Sequence, residues 1–291
     1  MKIVLSESLS YCIGVRKTIE LVKHLLADGR QRAYYMLGDV VHNEHVIRDL
    51  QSRGLNVVRS IADVPSDGIV ILQSHGSPRE RYRELEARHL EYVDATCPMV
   101  KVIHRRIRRL SAAKMTPVVI GQRNHEEVVG IAGQVDGAIV VGDTNEVTPE
   151  RFAGVARAGV VVQSTFIRAE AGLILERIRA LVPEVVFHDT ICRPTSTRQR
   201  EVVEKSRRAD CAIIIGSKSS ANTLHLAMLA RQANRRAHLI DDPAAVDRIS
   251  IPAGATVFVA SGASTPEELI HEVVRRLRAR DAAGAAVAKQ A

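Results

Sequence analysis

Eleven short runs rich in Val, Ile and Leu recur along the chain: AYYML, LNVV, GIVIL, YVDAT, TPVVIG, GAIVVG, GVVVQ, EVVFHD, CAIIIG, AHLID and TVFVA. Helical patterns alternate with them. Runs apolar at successive residues suit strands buried on both faces, and their alternation with helices predicts parallel sheets with covering helices. Aromatics make up only 3% of the chain and Trp is absent, so the core must be built from the branched aliphatics in these runs. The 291-residue length points to two domains or three.

Three of the four cysteines give the alternation a longer period. Cys12, Cys97 and Cys192 each follow a strand-like run and each open a helical segment (IGVRKTIELVKHLL, PMVKVIHRRIRRL and RPTSTRQREVVEKSRR). They lie 85 and 95 residues apart. A second strand–loop–helix follows each: VVHNEHVIRDL around His42, GQRNHEEVVG around His125 and GSKSSANTLHL around Asn222. A third set comprises LQSHGSPRERY with His75, VVQSTFIRAE with Ser164 and Thr165, and VASGASTPEEL with Ser264. Periodicity on this scale predicts three similar α/β units around a pseudo-threefold centre. Their expected bounds are 14–97, 98–192, and 1–13 with 193–280, with 281–291 a frayed tail.

All nine turns join a strand to a helix. Ligands of open α/β sheets bind beyond the carboxyl ends of the strands. Helix N-termini there offer unpaired N–H groups and partial positive charge to a phosphate. Should the units face one another, three thiols meet among rings of polar turns. They could hold zinc or an iron–sulfur cluster. Structural zinc usually takes four ligands at paired local spacings, whereas iron–sulfur clusters favour thiolates. Three ligands on a cubane leave one iron open to substrate. Cys211 lies inside CAIIIG, out of phase, and reads as a buried structural thiol. Pro98 suits the first helical turn, where its missing N–H costs nothing.

The net charge of +8 favours anionic partners, although arginine-rich helix faces account for most of it. No apolar run approaches the length of a membrane span. The N-terminus MKIVLSESLSYC breaks its apolar stretch with Ser and Glu and is a poor signal peptide. The expectation is a cytoplasmic protein without membrane or nucleic-acid partners.

The ordered set Cys12, VVHN, SHG, DATCP, His125 with Glu127, QST, Cys192, GSKSSAN and SGAS resembles the LytB (IspH) family of 4-hydroxy-3-methylbut-2-enyl diphosphate reductases. The likeness runs from about residue 1 to 280. It implies one [4Fe–4S] cluster per chain, held by Cys12, Cys97 and Cys192. It also implies reductive loss of the substrate hydroxyl, giving isopentenyl and dimethylallyl diphosphate, the last step of the methylerythritol phosphate route to isoprenoids. Glu127 would be the proton source, with Ser164, a Thr in the family, relaying or orienting that proton. His42, His75, His125, Thr165, Ser220, Asn222 and Ser264 would bind substrate, chiefly through its diphosphate. With no flavin or nucleotide motif in the chain, electrons would come from an external ferredoxin- or flavodoxin-like carrier.

The chain departs from the family at three places. It reads Tyr11-Cys12-Ile13-Gly14 for Phe-Cys-Ala-Gly, His125-Glu126-Glu127 for His-Pro-Glu, and Ser220-Ala221-Asn222 for Ser-Ser-Asn. These changes admit a paralogue acting on a related allylic diphosphate. Plainer readings stand beside the functional ones. The Ser-rich turns serve as helix caps, and Glu126 with Glu127 would suit a helix N-terminus by charge alone. His24, His45, His89, His104, His188, His225, His238 and His271 read as surface or satisfied core residues. From other classes, the rivals are a basic nucleic-acid-binding protein, which the lack of stacking aromatics disfavours, and a zinc-stabilised scaffold.

Overall fold

The computed structural model describes residues 1–28 and 32–290, with side chains as far as residue 282. The chain opens with β1 (Lys2–Leu5) and α1 (Ile13–Ala27). Next come β2 (Tyr34–Leu37), α2 (Glu44–Ser52), β3 (Leu55–Val58), β4 (Ile69–Leu72), α3 (Arg79–Ala87), β5 (Glu91–Asp94) and α4 (Pro98–Ala112). The same order recurs as β6 (Thr116–Ile120), α5 (Glu126–Ala132), β7 (Ile139–Val141), β8 (Arg157–Val162), α6 (Arg168–Leu181), β9 (Glu184–His188) and α7 (Arg193–Arg208). A last series has β10 (Cys211–Ile215), α8 (Ala221–Ala233), β11 (Ala237–Ile240), β12 (Thr256–Ser261) and α9 (Glu267–Gln290).

These strands form three four-stranded sheets of one design, ordered β5-β4-β2-β3, β9-β8-β6-β7 and β1-β12-β10-β11. Every pairing is parallel. The last series lacks a fourth strand of its own and takes β1, whose Leu5 pairs with Val259 of β12. Two compact units divide the chain: the first holds Met1–Ile13, His42–Val46 and the chain from Arg193 on, the second Gly14–Val41 and Ile47–Cys192.

Alternation along the central strands explains their uninterrupted apolar sequence. Val118, Ile120, Val160 and Val162 pack with Ile174 and Ile178 of α6 on one face. Val119 and Val161 point the other way, toward Ile103 and Ile107 of α4. The β10–β12 sheet divides likewise, Ile213, Ile215, Val257 and Val259 packing with Val273 and Leu277, and Ile214 and Phe258 with Leu226 and Ala230. Each such aliphatic contributes about 1.5–3 kcal/mol by burial, and Ile214→Ala would cost about 2–5 kcal/mol.

The expected tail, 281–291, is described as far as Gln290. From Asp281 the backbone continues α9 to Gln290, as its run of alanines, the best helix formers, allows. The Asp281 carboxylate accepts from the N-terminal ammonium at 2.7 Å. Among the described residues no helix is long and apolar enough to cross a membrane.

Candidate functional site

Each of the nine strand-to-helix junctions is present, and each of the three in-phase cysteines stands just ahead of a helix: Cys12 before α1, Cys97 before α4, Cys192 before α7. At α4 the cysteine is the N-cap and Pro98 the first helical residue. All three are half-buried and in no disulfide, and Cys211 is fully buried in β10. Burial raises the Cys211 pKa, which makes it a poor thiolate ligand.

One backbone hydrogen bond recurs at all three. The Cys12 N–H donates to Ala263 O at 3.1 Å, the Cys97 N–H to Ser74 O at 3.0 Å and the Cys192 N–H to Ser164 O at 3.0 Å. The acceptors are equivalent turns, those after β12, β4 and β8, so each cysteine is fastened to the third polar junction of its own sheet. Two cysteine approaches also share an Asx turn: Asp94 accepts from Thr96 N at 3.0 Å and Asp189 from Ile191 N at 3.2 Å.

In the second unit Glu127 is 2% exposed, in the first turn of α5. The Ser164 N–H donates to one carboxyl oxygen at 2.6 Å and the Ser164 hydroxyl to the other at 2.7 Å. Burial pushes the Glu127 pKa up, while the two Ser164 bonds and the nearby His75 hold it down; burial prevails. The result is a carboxyl group able to keep a proton above the ordinary carboxylate range.

Two histidines of this unit meet edge to face, His75 and His125 having ring centroids 5.5 Å apart. Their Nδ1 atoms meet different partners. His125 caps α5, its Nδ1 accepting from the Glu127 N–H at 3.1 Å, so its proton sits on Nε2. His75 Nδ1 instead lies 3.2 Å from Gln73 Oε1 and 3.3 Å from the Glu126 carboxylate. Two acceptors there favour the proton on Nδ1. Gly76, at φ +81°, makes the close turn possible: a Cβ would fall 2.6 Å from the His104 ring.

In the first unit Ser220 caps α8, accepting from Thr223 N. Asn222 is 7% exposed, and among the described residues its side-chain N–H group has no hydrogen-bond partner. A buried orphan donor is costly, and an anion would satisfy it. Gly216 and Gly262 clear the adjacent turn, where a Cβ would meet Thr223 Oγ1 at 2.9 and 2.1 Å respectively. The Ser264 hydroxyl donates to His42 O at 3.4 Å, and Asn43 caps α2. Ala221 is buried and offers no hydroxyl to this turn.

Three kinds of residue escaped the sequence reading. Gln73 and Gln163 occupy equivalent positions after β4 and β8, and each orients the residue two further on: His75, and Thr165, whose hydroxyl accepts from Gln163 Nε2 at 3.1 Å. The signal was available, since LQSH and VQST align within the repeat. Arg198 of α7, only 4% exposed, donates to Ser8 O at 2.9 Å and Ser10 O at 2.7 Å, pinning the loop that leads to Cys12. Glu126 looked like a helix-end charge and instead faces His75. His104 departs from the satisfied-core reading: it is 6% exposed with no partner on Nε2, and burial lowers its pKa to about 4.

The family model described as LytB protein matches residues 3–278. A 4-hydroxy-3-methylbut-2-enyl diphosphate reductase from Geobacter metallireducens is 34% identical over 97% of this chain and 99% of its own length. One of the same name from Edwardsiella ictaluri is 34% identical over 98% and 92%. Among solved structures, the E-1-hydroxy-2-methyl-but-2-enyl-4-diphosphate reductase of Plasmodium falciparum superposes with TM-score 0.87 at 25% identity, over 95% of this chain and 87% of that one. A second, described as the terminal enzyme of the non-mevalonate pathway, gives 0.70 at 30% identity, over 95% and 99%.

Proposed function

The chain belongs to the LytB family, and from that premise we propose that it reductively dehydroxylates 4-hydroxy-3-methylbut-2-enyl diphosphate to isopentenyl and dimethylallyl diphosphate. Two electrons and two protons enter, the allylic C–O bond breaks, a C–H bond forms and water leaves. The observation that carries this reading is Ser164. Its carbonyl holds the Cys192 N–H, while its own N–H and hydroxyl hold the buried carboxyl of Glu127. One residue thus ties a thiol ligand to a proton carrier.

The donor set fits a cluster: three half-buried cysteines, none in a disulfide, in one recurring setting at helix starts, where negative charge is favoured. Cys12, Cys97 and Cys192 would hold a [4Fe–4S] cluster, which when bound supplies electrons to the breaking C–O bond. Glu127 delivers the proton to the departing oxygen, and its raised pKa keeps that proton available above the ordinary carboxylate range. Ser164 fixes the carboxyl in place. His125 donates from Nε2, and His75 with the orphaned Asn222 amide, Ser220, Ser264, Thr165 and His42 completes the hold on substrate and its diphosphate. The electrons come from an external ferredoxin- or flavodoxin-like carrier, and we place the protein in the cytoplasm.

Anaerobic purification tests this directly. A brown protein with iron and acid-labile sulfide, turning over the hydroxymethylbutenyl diphosphate with reduced methyl viologen, is expected. A fully loaded cluster without turnover would overturn the assigned substrate, and zinc in place of iron would overturn the chemistry.

A further inference from the structure

The first turns of α4 run into a concave face that the proposed chemistry leaves unused. A cleft of about 430 Å³ lies in the second unit, lined by Arg79 and Arg83 of α3 and by Lys101, Arg105 and Arg108 of α4. Both sets follow helical spacing, i and i+4 on α3 and i, i+4 and i+7 on α4, so each presents one stripe. Against these five cations the lining holds two carboxylates, Glu86 and Asp94. Lys101 pairs with Asp94 at 2.8 Å and Arg108 donates to Gln134 at 2.6 Å. Among the described residues no ion pair engages Arg79, Arg83 or Arg105. His104 in the lining is held neutral by burial and the neighbouring Arg108, so the positive charge comes from Arg and Lys and persists across neutral pH.

The place of this cleft in the fold gives it meaning. Cys97 is the N-cap of α4, and the Lys101 N–H closes the first helical bond onto the Cys97 carbonyl at 3.0 Å. Thr96, the residue before Cys97, lines the cleft. At 1.5 Å per residue the three basic side chains of α4 stand about 6, 12 and 16 Å along the axis from the cysteine. A protein seated here lies against the backbone of a thiol ligand.

We propose that this cleft is the docking surface for a small acidic one-electron carrier protein of the ferredoxin type, which delivers electrons through the Cys97 end of α4. The proposal rests on the reductase reading, which requires two electrons from outside the chain. Complementary charge steers such encounters and sets their salt dependence. Arg guanidinium groups are well matched to the carboxylates on such a carrier's surface.

The test uses the loaded enzyme and its Arg83→Glu/Arg105→Glu variant, with Arg83→Gln/Arg105→Gln as a milder partner; all four changes are at exposed positions and thermal melts verify folding. Binding of an oxidised acidic [2Fe–2S] ferredoxin is measured by calorimetry, and turnover is driven either by that ferredoxin, kept reduced by its own reductase, or by methyl viologen. At about 50 mM salt the charge-reversed variant is expected to bind ferredoxin at least about tenfold more weakly and to lose ferredoxin-driven kcat/KM in proportion, with the Gln variant between. The difference should shrink at about 500 mM salt, and viologen-driven turnover should be unchanged. Unaltered ferredoxin affinity in the charge-reversed variant overturns the proposal. So does equal loss of viologen-driven turnover, or variant-sensitive binding of inorganic pyrophosphate without any of ferredoxin. Wild-type protein that binds ferredoxin in this charge-dependent way but turns over with neither reductant would leave the docking surface standing and overturn the substrate assignment instead.

Discussion

Glu127→Gln separates structure from chemistry at a single atom. In the native pair, Ser164 N–H donates to one carboxyl oxygen at 2.6 Å and the Ser164 hydroxyl to the other at 2.7 Å. A glutamine keeps the first oxygen and places its NH₂ at the second. The hydroxyl then turns and accepts where it had donated, so both contacts survive and the fold should lose no more than about 1 kcal/mol. The acidic proton does not survive. Loss of a general acid costs about 10²–10⁴ in rate, roughly 3–5 kcal/mol of barrier. Iron and sulfide content should match wild type, and KM for the hydroxymethylbutenyl diphosphate should change little while kcat falls by that factor. The pH dependence supplies a second readout. Burial raises the Glu127 pKa above its unfolded value, so the folded chain binds the proton more tightly. Its contribution to stability is complete below the ordinary carboxylate range and is lost as pH rises through the folded value. The difference in Tm between wild type and Glu127→Gln should therefore shift in favour of the variant as pH rises, and kcat of wild type should fall over the same upper limb. Full activity in Glu127→Gln alongside an inactive Glu126→Gln would refute the reasoning and move the proton carrier by one residue.

Further outcomes are expected at other positions. Ser164→Ala removes a bond that holds the Glu127 pKa down, so the upper limb of the kcat–pH profile should move to higher pH; a shift downward would contradict the assigned balance. Serine substitution at Cys12, Cys97 or Cys192 should abolish iron and sulfide retention after anaerobic purification, and Cys211→Ser should not; full iron in the Cys97 variant would remove it from the ligand set. Glu126→Gln should raise KM with little change in kcat, because it weakens the contact at 3.3 Å that holds the Nδ1 side of the His75 ring; a lower KM would mean that carboxylate–phosphate repulsion had been the larger effect. Ala221→Ser restores a hydroxyl beside the orphaned Asn222 amide, and a hydrogen bond to a charged group is worth roughly 1.5–3 kcal/mol, so KM should drop about ten- to a hundredfold. No gain, together with poor turnover of this substrate in both forms, would favour a related allylic diphosphate.

What the sequence determined by itself is local. The strands follow from apolar runs, the nine junctions from the switch to helical spacing, and the start of α4 from Pro98. Cys211 reads as buried because every neighbour in CAIIIG is apolar, and the repeat phase separates it from the other three cysteines. Tertiary structure alone decided which distant groups meet. Arg198 lies 188 residues from the Ser10 carbonyl it holds, Ser164 37 from the carboxyl of Glu127 and 28 from Cys192. Nothing in the local pattern marks Glu126 as the partner of His75 rather than a helix-end charge. The physical reason lies in the sheets. In the order β9-β8-β6-β7, β8 is flanked by a strand that follows it and one that precedes it, so the turns that share a sheet end come from segments far apart along the chain. Periodicity of 2 or 3.6 residues tells which face a side chain takes within its own element; the register of parallel pairing tells which other element ends beside it, and that register is set by long-range packing.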